Sequence, residues 1–221
     1  MGKGFPEGKQ DQLIADLGRL WSDQQDRNLI VKTIQVLDTR DGMGQKIAHE
    51  PGVEEIIMQM AGRLASSYPS LSNLQNKRIL DIACGSNTSK LPASLFVNTP
   101  FGEIKLGRAS KGYTALFEPW FCRLLYVLGA APVGVDFGDL EQEVFIHHRV
   151  DLGKPGSLDF LPDRSFDGIQ DSRLFGSPEF TAQFPDQSDR LKVAREIRRQ
   201  EQRLLKVDGI IIHSDAAALL S

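Results

Sequence analysis

Short apolar strands alternating with amphipathic helices predict an α/β chain: a doubly wound, mostly parallel sheet preceded by a helical segment. Three observations carry this. The hydrophobic spacing changes from helical to strand-helix alternation near residue 77. The strand candidates, such as Arg78–Ala83 and Ile210–Ile212, are apolar on successive positions, as strands covered on both faces are. Between them lie helical patterns long enough for crossover connections.

The elements follow in order. Leu13, Ile14, Leu17, Leu20 and Trp21 recur at i, i+3, i+4, i+7 and i+8, and Leu29, Ile30, Ile34 and Leu37 form a second stripe. Asp41-Gly42-Met43-Gly44 reads as a loop. Pro51 near a first turn opens a third stripe, Val53, Ile56, Ile57, Met60 and Leu64, which Tyr68-Pro69 closes. Residues 1–76 are thus an N-terminal helical cap segment and 77–221 the α/β core. In the core, 78–83, 132–137, 145–152, 166–170 and 210–212 are expected strands. Phe117–Leu128 and Asp189–Lys206 are expected helices, the second burying Leu191, Ala194, Ile197, Leu204 and Leu205, and Asp208-Gly209 an expected turn.

Composition narrows the function classes. The 221 residues are 41% hydrophobic, enough for a packed core, and 26 basic against 29 acidic residues leave a net charge of −3. No global basic footprint for nucleic acid exists, and no apolar run approaches the roughly 20 residues a bilayer requires. Cys84 and Cys122 make no CxxC or metal pattern. The polar first ten residues do not read as a secretory signal, and Pro6 stands where myristoylation wants Ser or Thr. A cytoplasmic location with two packing thiols, no metal and no membrane partner is the expectation.

Ligands of doubly wound sheets bind beyond the carboxyl ends of the strands. There the sequence sets Asp81, Asp136, Asp151, Asp171 and Asp215, one at each strand end. A single such Asp is usually a helix cap. Five together form an acidic rim suited to a polyhydroxylated, cationic ligand and unsuited to a pyrophosphate.

The segments Ile79–Gly85, Val133–Asp136, Val150–Leu152, Leu161–Asp167 and Glu196–Ile212, in this order and spacing, resemble the class I S-adenosylmethionine-dependent methyltransferases, in particular type 11/25-like cores with a Rossmann-like sheet. The resemblance covers residues 78–215. It implies S-adenosyl-L-methionine as cofactor and methyl transfer to a small-molecule substrate, with nucleic acid disfavoured. By position it implies that Asp81, Ala83, Gly85 and Asn87 meet the amino-acid end of the cofactor and that Asp136 accepts the ribose hydroxyls. Asp151 would accept from the adenine amino group, Phe137 and Leu152 would sandwich the ring, and Asp171 and Ser172 would flank the methyl. Asp171 and His213 are the candidate bases for an acceptor that arrives protonated.

Three features depart from the pattern. Ala83 and Asn87 stand where the family usually has glycine, residues 88–112 intervene before the next helix, and only six residues follow Asp215. The last would leave a sheet edge for the N-terminal helices, the insertion or a second copy in a homodimer to cover. A methyltransferase-like binding or regulatory protein without turnover is therefore the alternative function. A nucleotide-dependent oxidoreductase fits less well, because Gly85 stands alone and Asp81 would repel a pyrophosphate. Adjacent His147 and His148 face opposite sides of a strand and do not suit one metal. Trp120 reads as core, and Arg195, Arg198, Arg199 and Arg203, interspersed with glutamates, read as a solvated helix face.

Overall fold

The computed structural model describes residues 4–50, 52–86, 96–99, 102–105, 115–138, 140, 143–171, 174–175 and 178–221. Four helices come first: α1 (Lys9–Gly18), α2 (Gln24–Asp41), α3 (Met43–His49) and α4 (Gly52–Ser67). Asp23 caps α2 by accepting from the Gln25 and Asp26 amides. The expected loop at 41–44 shrinks to a single hinge. Gly42 adopts φ 65°, ends α2 and directly starts α3. One left-handed glycine is enough to turn the chain.

The α/β part begins with β1 (Arg78–Ile82). Two short antiparallel strands, β2 (Phe96–Thr99) and β3 (Gly102–Lys105), fall inside the 88–112 insertion; the rest of it lies outside the described residues. Then come α5 (Trp120–Val127), β4 (Ala131–Asp136), β5 (Ile146–Arg149), β6 (Phe166–Asp171), α6 (Pro178–Gln183), α7 (Gln187–Leu204), β7 (Leu205–Ser214) and α8 (Asp215–Leu220). The sheet order is β5-β4-β1-β6-β7 and every pairing is parallel. From β1 the chain winds outward through β4 to β5, returns, and winds the other way through β6 to β7. This is the Rossmann-like doubly wound plan, and its direction reverses between β1 and β6.

Both faces of the sheet are covered. Ile79 and Ile212 face a layer built from α1 to α5, with Leu13, Ile34, Leu64, Trp120 and Phe121 in one continuous core. Leu80, Ile82, Val133, Val135, Phe166 and Ile169 face the second core, closed by Val193, Ala194 and Ile197 of α7. The N-terminal helices, expected as a cap, thus form a structural layer on one face of the sheet. Among the described residues, no helix is long and apolar enough to cross a membrane.

Three expected boundaries move. The helix expected from Phe117 starts at Trp120, behind a 3-10 turn over Ala115–Phe117. The expected strand 145–152 contracts to Ile146–Arg149. The expected turn at Asp208-Gly209 lies inside β7. Phe166 pairs with Leu205 and Gly168 with Ile210, so the intervening residues bulge out of register without ending the strand. The expected buried face of α7 carries Ala194, Ile197 and Leu204 as read. On its other side, Arg199 pairs with Glu196 at 2.7 Å on the helix surface, while Arg198 reaches over to the buried Glu201 at 2.8 Å.

Candidate functional site

The reversal of winding falls between β1 and β6, the place at the carboxyl ends of the strands where doubly wound folds hold ligands; there Ile82 pairs with Asp171 of β6 and with Val135 of β4. The loop leaving β1 carries Ala83 at φ 60° and Gly85 at φ 95°. The left-handed turn at Ala83 is costly for a residue with a Cβ. It bends the chain so that the Cys84 amide donates to Val135 O and the Gly85 amide to Asp136 Oδ2 at 3.0 Å. The other carboxylate oxygen of Asp136 accepts from the Gly138 amide at 3.2 Å. Asp136 is therefore bound at the rim by two backbone amides and stays partly exposed. A carboxylate has about four acceptor positions, so capacity for two further donors remains.

Gly85 has no room for a side chain. A Cβ there would stand 2.3 Å from the Phe117 carbonyl oxygen. The close approach that calls for glycine is thus made by the protein's own 115–118 turn. That turn is clamped: Glu118 pairs with Arg123 and, at 2.6 Å, with Lys46, while Arg123 reaches Glu143 at 2.6 Å and Asp41 at 3.6 Å. The Trp120 ring has the Lys46 and Arg123 cations 5.3 and 5.2 Å from its centre, and its indole N–H donates to Ala115 O. It is core, as read.

The other expected rim residues divide into two groups. Phe137 is 47% exposed beside Asp136, with the Arg149 guanidinium 6.0 Å from its ring. Asp151 is partly exposed; it accepts from the Gly153 amide at 3.1 Å and faces Lys154 at 3.4 Å. Leu152, expected to sandwich a ring with Phe137, is instead packed into the second core. Asn87 and Ser172 lie outside the described residues.

Asp81 and Asp171 are sealed. Asp81 lies between sheet and α5, where Cys122 Sγ donates to its Oδ2 at 3.6 Å and its Oδ1 is buried without a partner. Burial raises this carboxyl to about 8; the contacts from Cys122 and Gln170 oppose the rise, and Asp136 and Asp171 add to it. Burial likewise lifts both thiols, Cys122 to about 11, so neither is a nucleophile near neutral pH. Asp171 Oδ2 lies 3.1 Å from Ser214 Oγ and accepts from the Ala216 amide at 2.8 Å. Burial raises it to about 7 despite the Ala216 amide, with Glu201 and Asp215 pushing the same way. His213 Nε2 lies 2.8 Å from Asp215 Oδ1, the fifth rim carboxylate.

The sequence reading missed Glu201, which joins this group from α7 through Ser214 Oγ at 3.1 Å. A signal was present: Glu201 is four residues after Ile197 and seven after Ala194, on the buried stripe.

Among the described residues no group of His, Cys, Asp or Glu is arranged to hold a metal. A cavity of about 10 Å³ inside the helical layer, lined by Leu17, Trp21, Ile34 and Leu128, is apolar and remote from the rim. No known family model matches the chain, and no curated protein matches it significantly.

Proposed function

We propose that the crevice beside β1 and β4 binds S-adenosylmethionine and that the chain transfers its methyl group to a small molecule. The observation that carries this reading is the Asp136 carboxylate. It is held at the end of β4 by the Gly85 and Gly138 amides, with acceptor capacity left and the exposed Phe137 ring next to it. A fixed acceptor for two vicinal hydroxyls beside an aromatic face suits a nucleoside. The residues fit the adenosine half of the cofactor: Asp136 would hold the ribose, Phe137 one face of the base and Asp151 its exocyclic amine.

When bound, the cofactor supplies a methyl group on a cationic sulfur. The chain's own part is orientation and exclusion of water, since displacement at that methyl needs an aligned nucleophile more than an acid or base. Of the five strand-end carboxylates, the partly exposed Asp136 and Asp151 are the ones that can favour the cation and disfavour a phosphorylated nucleotide; Asp81 and Asp171 are sealed and take no part.

A second reading, nucleoside binding without turnover, is favoured by one observation. Both candidate bases are engaged: Asp171 is fully buried against Ser214 and the Ala216 amide, and His213 is held by Asp215. Calorimetry with S-adenosylhomocysteine and S-adenosylmethionine tests the shared part. Binding of both, weakened about tenfold to a hundredfold by Asp136→Ala, supports it. Absence of binding at millimolar ligand overturns it. Methyl release from labelled cofactor in a panel of small nucleophiles then separates the two readings.

A further inference from the structure

Asp171, Ser214 and Glu201 come from β6, the end of β7 and α7, and all three are buried. The Ser214 hydroxyl lies 3.1 Å from Asp171 Oδ2 and 3.1 Å from Glu201 Oε2, and it also accepts from the Ala217 amide at 3.0 Å. A hydroxyl carries one proton. It can donate fully to one carboxylate, and its remaining lone pair can only accept. Two anions would leave one facing an oxygen lone pair. The second oxygens, Asp171 Oδ1 and Glu201 Oε1, are buried without hydrogen-bond partners, so neither anion is fully solvated by the protein.

We propose that Asp171, Ser214 and Glu201 form a carboxyl–hydroxyl–carboxyl chain that stores one proton in the folded protein at neutral pH and makes the junction of α7, β7 and α8 responsive to pH. The neighbours assign the proton. Arg198 Nη1 meets Glu201 Oε2 at 2.8 Å, which favours the Glu201 anion. Asp171 has no cation among its described contacts: it faces Glu201, Asp215 and, on the neighbouring strand β1, Asp81, while His213 acts on Glu201. Asp171 is therefore the neutral member and donates a hydrogen bond to Ser214 Oγ, whose own O–H stays intact and donates a hydrogen bond to the Glu201 carboxylate. The direction of both carboxyls, upward through burial, agrees. Loss of the stored proton sets two buried anions about one hydroxyl, and the repulsion is relieved by parting α7 from the start of α8. This inference does not rest on the cofactor reading.

Carboxyl-¹³C NMR of the full chain between about pH 5 and pH 9 tests it, with resonances assigned through Asp171→Asn and Glu201→Gln. The expected result is that the Asp171 carbon stays at its protonated position near pH 6, then titrates by one proton, while exchange of the Ala216 and Ala217 amides speeds up over the same range. Glu201→Gln, whose amide can donate to Ser214 without a proton, should abolish the coupled exchange change. If either variant fails to fold, Ser214→Ala keeps both acids and should move the same two resonances. Both carboxyls ionised throughout in the folded protein, or two resonances indifferent to Ser214→Ala, overturn the proposal.

Discussion

Gly85 donates its backbone N–H to Asp136 Oδ2 at 3.0 Å, so the loop after β1 is tied to the end of β4 by one side chain. The same carboxylate orders Gly138. Asp136 is thus a support of the rim as well as its proposed ligand acceptor. Asp136→Ala should lower stability by about 1–3 kcal/mol, because two partly buried amides lose a charged acceptor. Urea denaturation of wild type and variant checks this without any ligand. Equal midpoints would mean that the tie contributes nothing.

Gly85→Ala should destabilise by more than about 2 kcal/mol, since it combines φ 95° with a backbone oxygen 2.3 Å from the new carbon. Gly62→Ala, inside α4 with nothing within 4 Å of the new Cβ, should instead stabilise by about 0.5–1 kcal/mol. Thermal unfolding of the pair should show shifts of opposite sign.

Stability should fall as pH rises from about 4 to about 8. Asp81 is raised from 3.8 to about 8 and Asp171 from 3.8 to about 7, so the folded chain holds protons that the unfolded chain has released. The contribution is fully present below the unfolded carboxyl value and is lost as pH climbs through the folded values. Asp81→Asn should flatten this slope and stabilise the protein at pH 8 by on the order of a few kcal/mol. Urea unfolding at pH 5 and pH 8 is the check; a wild type equally stable at both would contradict the burial argument.

Arg123→Met should cost about 3–5 kcal/mol, because Glu143 and Asp41 lose the guanidinium and the buried Glu118 keeps Lys46 alone against it. The double variant Arg123→Met/Glu118→Gln should recover part of the loss, a coupling that a double-mutant cycle measures.

A fragment of residues 77–221 should not fold by itself. Ile79, Trp120, Phe121 and Leu125 share one core with Leu13, Ile34 and Leu64, and removing the helices would expose that face of the sheet. A cooperative unfolding transition of the fragment by circular dichroism would overturn this.

Much of the architecture was legible in the sequence. Apolar runs of the β1 kind, short punctuating loops and the Ala194–Ile197–Leu204 stripe are local patterns, and parallel strands buried on both faces leave them little freedom. The rim acids were legible as positions at strand ends. Their environments were not. Asp81 and Asp136 each stand within the last two residues of an apolar strand, yet one is sealed under Cys122 and the other is partly open at the surface. Burial depends on which helix covers a strand end, and that is decided by contacts between residues far apart in the chain. For the same reason Glu201 looked like a surface charge and became the partner of Asp171. Period and composition determined the layers of this protein; only tertiary packing decided which carboxyls meet water, because desolvation is a property of the surroundings and not of the residue.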